Sequence, residues 1–295
     1  MDSNNYEVVL LGHFALDNDI VDGVEKELIG SAVYYGAFAL SSIGVKVAVV
    51  TKLAQKDFPL LSIFRKAGVK VFATVAPETT GLRNIYSLDD PDNRQSYFMR
   101  FAGPFQKNDF PELKSKIIHI GSLLNKEVPK NMIKKLSKTA DLGLDVQGYI
   151  RVKKEGEKLI SKDWEEKEEI LPYIKYLKAD IAEATILTGT SDLHKAAKIL
   201  ARMGAKEVMI THKEGVTLLV NDEFYQAPFS PKSLKGRSGR GDTCICTYIG
   251  KRLTLDPYPA LCYAAALTTL KLEKEGPFKG DLKNVEDLLE KNKIK

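Results

Sequence analysis

Short aliphatic and β-branched runs alternate along the chain with longer amphipathic stretches, the pattern of a mostly parallel sheet covered by helices. Glu7 to Leu11 opens the series as a strand. Ser31 to Ile43 reads as a helix, Val45 to Val50 as a strand, Phe58 to Ala67 as a helix stopped by Gly68, and Val69 to Thr74 as the next strand. Ile117 to Ile120, Leu142 to Val146, Ala179 to Ala182 and Val208 to Thr211 continue as strands. Before Val208, Leu193, Ala196, Ala197, Leu200 and Met203 make one apolar stripe at helical spacing, with Ser191 as N-cap and Gly204 as the stop. Two stretches, 14–29 and 80–102, break the alternation with polar, partly β sequence and the turn residues Asp22-Gly23 and Asp90-Pro91-Asp92. They are expected to pair as a small β lid over a crevice, with ordinary surface loops as the alternative reading. No linker, internal repeat or low-complexity tract divides the chain, so residues 1–295 read as a single α/β domain.

Composition leaves this picture in place and removes alternatives. At 44% apolar and 28% charged residues the chain lies far from the disordered corner. No apolar run approaches the roughly 18 residues of a membrane span, and Met1 to Glu7 lacks a basic segment leading into an apolar one. The net charge of +5 is a mild excess. Its clusters, Lys134-Lys135, Lys153-Lys154 and the tail Lys291 to Lys295, read as solvated surface, not as a nucleic-acid patch. Cys244, Cys246 and Cys262 are an odd number without paired spacing, which supports neither a disulfide framework nor a zinc site. The histidines His13, His119, His194 and His212 also lack metal-site spacing. A cytoplasmic protein with no nucleic-acid or membrane partner is expected.

Candidate chemistry concentrates in Gly236-Arg237-Ser238-Gly239-Arg240-Gly241-Asp242-Thr243, which runs into the helix-forming stretch Cys244 to Leu253. Glycines let a backbone approach a ligand, and a helix start presents unpaired amides and the positive end of the macrodipole. The spacing matches neither the Walker loop nor the dinucleotide fingerprint. A carboxylate at an anion site needs a task, and accepting a proton is one; capping the helix is the structural alternative for Asp242.

Gly239-Arg240-Gly241-Asp242 before an apolar helix resembles the Gly-Ala-Gly-Asp signature of the ribokinase-like (PfkB) carbohydrate kinases, and other segments match in order. Gly12 to Asp17 resembles the end of the family's first strand and its substrate-binding aspartate, Asp17. Gly30-Ser31 stands where the family has Gly-Gly. Asp180-Ile181-Ala182-Glu183 resembles its Asn-x-x-Glu segment, and Thr211 and Gly215 resemble the strand and loop that flank the nucleotide. The resemblance implies a three-layer α/β/α sandwich with a mostly parallel central sheet and a small β lid. It implies transfer of a phosphoryl group from ATP, with Mg2+ held by Glu183 through water, and leaves room for a monovalent cation. Asp242 would be the base, and Gly239, Arg240 and Gly241 the anion hole. Asp180, Thr211 and Gly215, with Gly239 and Gly241, would bind nucleotide.

The departures refine the acceptor. Asp145-Val146-Gln147-Gly148-Tyr149-Ile150-Arg151, with Ala32-Val33-Tyr34-Tyr35 in the substrate helix, resembles the myo-inositol kinase subgroup. A cyclic polyol offers only hydroxyls, so its pocket needs donors and acceptors; Asp17, Gly30, Ser31, Tyr35, Gln147 and Arg151 are the candidates. Ribose, fructose, a keto-sugar acid or a nucleoside remain alternatives, with Tyr34 or Tyr35 able to wall a base. Arg237 and Arg240 are candidates for phosphate contact. Arg240-Gly241-Asp242 also spells an adhesion tripeptide, but a helix start is a poor exposed loop. The chain is expected as a monomer or homodimer.

Overall fold

A computed structural model describes residues 4–86 and 95–293. Its centre is a nine-stranded sheet. Across the sheet the strands run Glu223–Pro228, Gly215–Val220, Glu207–Thr211, Ile174–Asp180, Asp141–Asp145, Lys114–Ile120, Asn5–Leu11, Val47–Ala54 and Lys70–Ala76. Pairing is parallel from Glu207–Thr211 to Lys70–Ala76, and antiparallel for the two strands that follow Thr211.

The near-continuous apolar strands follow from burial on both faces. Along Asn5–Leu11, Val9 and Leu11 enter one core with the helices Lys130–Leu136, Ile181–Thr188 and Leu193–Arg202. Val8 and Leu10 enter the other, with Ala32–Ser42, Arg240–Lys251 and Pro257–Leu272. Period-two alternation along one strand thus feeds two helical layers. Among the described residues no helix is long and apolar enough to cross a membrane.

Several boundaries move for physical reasons. The strand expected at Ala179 to Ala182 is Ile174–Asp180, and Ile181 and Ala182 open a helix. The reason is a capping box that periodicity did not register: Asp180 accepts from the Glu183 amide while the Glu183 carboxylate accepts from the Asp180 amide. The N-cap before Leu193 is Asp192, not Ser191, with its carboxylate taking the Lys195 amide at 2.9 Å. In place of one helix over Phe58 to Ala67 there is a 3-10 turn, Gln55–Leu61, which contains Pro59, followed by a short helix, Ser62–Lys66.

The lid is a four-stranded sheet in the order Val24–Gly30, Ala15–Val21, Gly81–Tyr86, Gln95–Arg100. Asp22 and Gly23 have φ of 47° and 82°, the left-handed pair of a two-residue hairpin. The Asp90-Pro91-Asp92 turn lies outside the described residues. At the root of the lid, Thr80 Oγ1 meets His13 Nδ1 at 2.8 Å and accepts from the Ala102 amide at 3.0 Å. Glu127 accepts from the amides of His13 and Leu123 at 2.8 Å each. Burial lowers the His13 imidazole to about 3 and raises the Glu127 carboxyl to about 7. The lid therefore joins the core through a dry, hydrogen-bonded polar knot.

Gly30 and Ser31 stand at positions that favour glycine for different reasons. A Cβ on Gly30 would lie 2.2 Å from Asp17 Oδ2, so only glycine lets that carboxylate reach its place. Ser31 has φ 106°, which side chains rarely adopt, and it caps the Ala32–Ser42 helix by accepting from the Tyr34 amide at 3.3 Å. Relief of such a backbone is worth roughly 2 kcal/mol. Added chain entropy of roughly 1 kcal/mol and a few tenths for the lost cap oppose it. Ser31→Gly is therefore expected to stabilise the fold by about 0.5–1 kcal/mol, and Ser31→Ala, which keeps the strain and loses the cap, to destabilise it by about 1 kcal/mol, in denaturant titrations.

Candidate active site

The carboxyl ends of the strands ending at Asp145, Asp180 and Thr211 open on one side of the sheet, where open α/β sheets form their crevices. Two connected cavities lie there. An inner cleft of about 590 Å³, roofed by the lid, is lined by Asp17, Asn84, Tyr35, Gln147 and Arg151 among others. An outer cavity of about 850 Å³ is lined by Asp145, Lys178, Asp180, Thr211, Arg237 and Arg240. Asp242 and Gly239 line both, so the carboxylate stands on the partition between them.

The glycines place it there. Gly239 precedes the Arg240–Lys251 helix with φ 78°, and a Cβ on it would lie 2.1 Å from the Tyr35 ring. A Cβ on Gly241 would lie 2.9 Å from Lys178 Nζ. The loop is thus clamped between an aromatic face and an ammonium group, both at distances that only glycine permits. The Thr243 amide makes the first full-turn bond, to Gly239 O at 2.9 Å, and the Arg240 amide donates to Arg237 O at 3.2 Å. The amides of Gly241 and Asp242 fall in the first turn, where no preceding carbonyl of the helix can take them. They and the helix dipole face an anion placed in the outer cavity. Burial, with a smaller repulsion from Asp145, raises the Asp242 carboxyl to about 6 against the opposing pull of Lys178, Lys271 and Arg151.

Asp17 accepts from the Leu82 amide at 2.8 Å, which ties the lid strand to the cleft. Asn84 donates to Asp19 Oδ1 at 2.9 Å and accepts from Ser96 Oγ at 2.7 Å. Gln147 starts a one-turn helix whose first amide donates to Asp145 Oδ1 at 3.0 Å. Gly30, Ser31, Tyr35, Gln147 and Arg151 all reach the inner cleft, and Asp180, Thr211, Arg240 and Gly241 the outer cavity. Gly215 lines neither cavity. A Cβ there would meet Ala227 O at 2.4 Å, so close pairing with the neighbouring strand explains this glycine. Glu183 lines a separate neighbouring cleft. Its Oε2 accepts from the Asp180 amide at 2.6 Å and from Lys178 Nζ at 3.3 Å.

Lys178, Lys271 and Asn84 were not picked out from the sequence. Lys178 is buried and pairs with Asp145 Oδ2 at 3.0 Å and Glu183 Oε2 at 3.3 Å. Burial would lower its pKa, but the two carboxylates more than offset this and hold it well above the ordinary lysine value. The available signal was a lysine set among Tyr176, Leu177 and Ala179 in an apolar strand run, a position that charge rarely occupies unpaired. Magnesium favours oxygen ligands and retains several waters, so carboxylates plus the phosphates of a ligand suffice for it. Asp145 and Asp180 offer such oxygens on the outer cavity, and among the described residues no set of three potential ligands forms a complete cage. A hydrated magnesium ion arriving with a phosphate ligand fits.

The profile of the pfkB family of carbohydrate kinases matches residues 36–277. A sulfate complex of a pyrophosphate-dependent kinase in the ribokinase family superposes with a TM-score of 0.88 at 36% identity, covering 95% of this chain and 99% of that one. A second solved structure concerns the conversion of a pyrophosphate-dependent myo-inositol-1 kinase into a myo-inositol-3 kinase by exchange of one asparagine and one serine for leucine. It matches with a TM-score of 0.87 at 34% identity, covering 95% of this chain and 98% of its own. A cytidine kinase of Thermococcus kodakarensis is 28% identical over 252 residues, 80% of this chain and 84% of its own length.

The charges around the partition can be tested directly. By carboxyl carbon NMR, Asp242 is expected to titrate near pH 6. Lys178→Met removes an attractive charge and moves that midpoint up, whereas Asp145→Asn removes a repelling one and moves it down.

Proposed function

The chain belongs to the pfkB family of carbohydrate kinases, and we propose that it phosphorylates a ring hydroxyl of myo-inositol with inorganic pyrophosphate as donor. The observation that carries the donor is the lining of the outer cavity. Lys178, Arg237 and Arg240 face it, and among the described residues it has no aliphatic wall and, beyond Tyr86 on the border with the inner cleft, no aromatic one. A nucleotide base needs an apolar slot, whereas a diphosphate needs cations and amides. The loop from Thr211 to Gly215, expected to flank a nucleotide, closes as a tight hairpin with the His212 amide on Gly215 O at 2.9 Å. The His212 amide is thereby taken up by the turn. The relatives that use pyrophosphate support the same donor over the ATP implied by the sequence resemblance.

In this reading the polyol lies in the inner cleft, with Asp17, Asn84, Gln147 and Arg151 as hydroxyl partners. The acceptor oxygen forms a bond to the terminal phosphorus, the bridging P–O bond breaks, phosphate leaves, and the hydroxyl proton passes to Asp242. Phosphoryl transfer has a loose transition state, so the base orients the hydroxyl and takes its proton late. The amides of Gly241 and Asp242, with the helix start behind them, stabilise charge on the transferring group. Arg237, Arg240 and Lys178 hold the donor's oxygens. Asp145 and Asp180 would hold magnesium, which supplies charge neutralisation between the phosphates. Glu183 acts in this scheme through Lys178 and the Asp180 cap.

The lid supports a choice of hydroxyl. A hydrogen-bonded asparagine and serine, Asn84 and Ser96, stand in it, and Asn84 faces the cleft. In a relative, exchange of an asparagine and a serine for leucine moved phosphorylation from one ring position to another.

Phosphorus NMR of reactions with pyrophosphate or ATP, run against myo-inositol, ribose, fructose and cytidine, is expected to show turnover with pyrophosphate and myo-inositol. Turnover with ATP alone would overturn the donor, and preference for cytidine the acceptor. Asp242→Asn should lower kcat by at least about 100-fold, and wild-type kcat/KM should fall as pH drops through about 6, because the base works only when ionised. The double variant Asn84→Leu/Ser96→Leu should yield a different inositol monophosphate; an unchanged product would remove that pair from the choice of hydroxyl.

A further inference from the structure

The glycine-rich loop is held from behind by a charge that the proposed chemistry does not use. Lys271 lies near the end of the Pro257–Leu272 helix and is almost completely buried, at 2% exposure. Its Nζ donates to Gly236 O at 2.5 Å and to Ser238 O. The ammonium sits over the Tyr35 ring, 5.0 Å from the centroid, and Tyr35 is the same ring that packs on Gly239. The loop also leans on this helix end directly. The Gly236 amide donates to Leu272 O at 2.8 Å, and a Cβ on Gly236 would collide with the carbonyls of Lys271 and Lys274. Two carbonyl oxygens turned toward one point repel each other, and a cation between them offsets that repulsion more strongly than a neutral donor. A lysine brought from a helix some thirty residues further along the chain provides it.

A purely structural lysine would be an expensive choice, since burying an ammonium costs more than burying the methionine of similar length. What the charge adds is direction. The carbonyl and the amide of one trans peptide unit point opposite ways, so drawing the Gly236 and Ser238 carbonyls toward Nζ turns the Arg237 and Gly239 amides away from Lys271 and fixes the turn that leads into Gly241 and Asp242. We infer that Lys271 is a positioning residue for phosphoryl transfer, a built-in cation that gathers the Gly236 and Ser238 carbonyls and so aims the anion-binding amides and Asp242 at the reacting groups. The inference rests on the kinase reading of the site but on neither the donor nor the acceptor chosen for it.

The electrostatic surroundings agree. Burial lowers the Lys271 ammonium to about 8; Asp242 opposes that shift and Arg240 adds to it, while Tyr35 presents its ring face. The clamp is therefore charged below pH about 8 and loses its charge as pH rises through that value.

Lys271→Met and Lys271→Arg test the assignment, assayed with the donor and acceptor that the wild-type enzyme turns over best. Lys271→Met should lose roughly 100-fold in kcat with the acceptor KM changed little, the scale expected when a catalytic geometry loosens by about 1 Å. Methylammonium chloride should restore part of that rate, and tetramethylammonium chloride at equal ionic strength should not, because only the former donates to carbonyls. Wild-type kcat should decline as pH rises through about 8, and Lys271→Arg should keep measurable activity without that decline. A folded Lys271→Met enzyme with wild-type kcat overturns the inference, as does an alkaline decline that persists unchanged in Lys271→Arg. Should Lys271→Met fail to fold, the Arg variant decides. Hydrogen exchange separates this inference from the kinase reading: amides of residues 237–242 should exchange faster in Lys271→Met than in wild type if the clamp orders them, and less so in Lys271→Arg, which keeps a donating cation, whether or not any acceptor is turned over. Unchanged exchange in a folded Lys271→Met protein overturns it.

Discussion

Asp145, Asp180 and Asp242 line one crevice with Glu183 packed beside it, and carboxylates brought so close repel one another strongly enough to force protons onto them or to open the fold. Lys178 is the group that makes their proximity tolerable. Its ammonium touches Asp145 and Glu183 and pulls on Asp242, so one buried cation serves three carboxylates. The arrangement is poised and not neutral. Asp242 remains raised to about 6, which leaves it ionised near neutral pH and still basic enough to receive a proton. The Asp180–Glu183 capping box has the same double use, since it starts a helix and fixes one of Lys178's two anionic partners.

Close approach is the second constraint. Lys178 can lie under the loop because residue 241 is glycine, Tyr35 can lie against it because residue 239 is glycine, and Asp17 can enter the cleft because residue 30 is glycine. Each missing side chain is filled by a functional group of another residue. Ser31 shows the cost where the pattern is relaxed, for it keeps a backbone suited to glycine and recovers part of that cost as a helix cap.

The lid and the sheet meet the same site by different means. Strands of the sheet deliver Asp145, Asp180 and Thr211 at their carboxyl ends, held by packing in two cores. The lid delivers Asp17 and Asn84 on a thin sheet whose root is the His13, Thr80 and Glu127 knot. Buried, uncharged histidine and hydrogen-bonded glutamate give that root direction without a solvated hinge.

Local order was legible in the sequence. Apolar runs at strand and helix periods, the Gly-x-Gly-Asp turn before a helix and the polar lid segments are short-range features, and each reports the residues that form it. They determined the layered α/β fold and the place of Asp242 at a helix start, because periodicity and backbone conformation depend on neighbours a few residues away. Some local signals went unread: Asp180 and Glu183 have capping-box spacing, yet Ala179 to Ala182 passed as a strand because its apolar residues suit either element. Only the tertiary structure decided the rest. Lys178 is a strand residue and Lys271 a helix residue like many others until folding sets one beneath Gly241 and the other behind Gly236 and Ser238. The Asn84 to Ser96 bond and the cation-lined outer cavity without an aliphatic wall are likewise products of distant segments. Charge, burial and pKa depend on what stands within a few ångströms in space, and the order of residues along a chain does not state those distances.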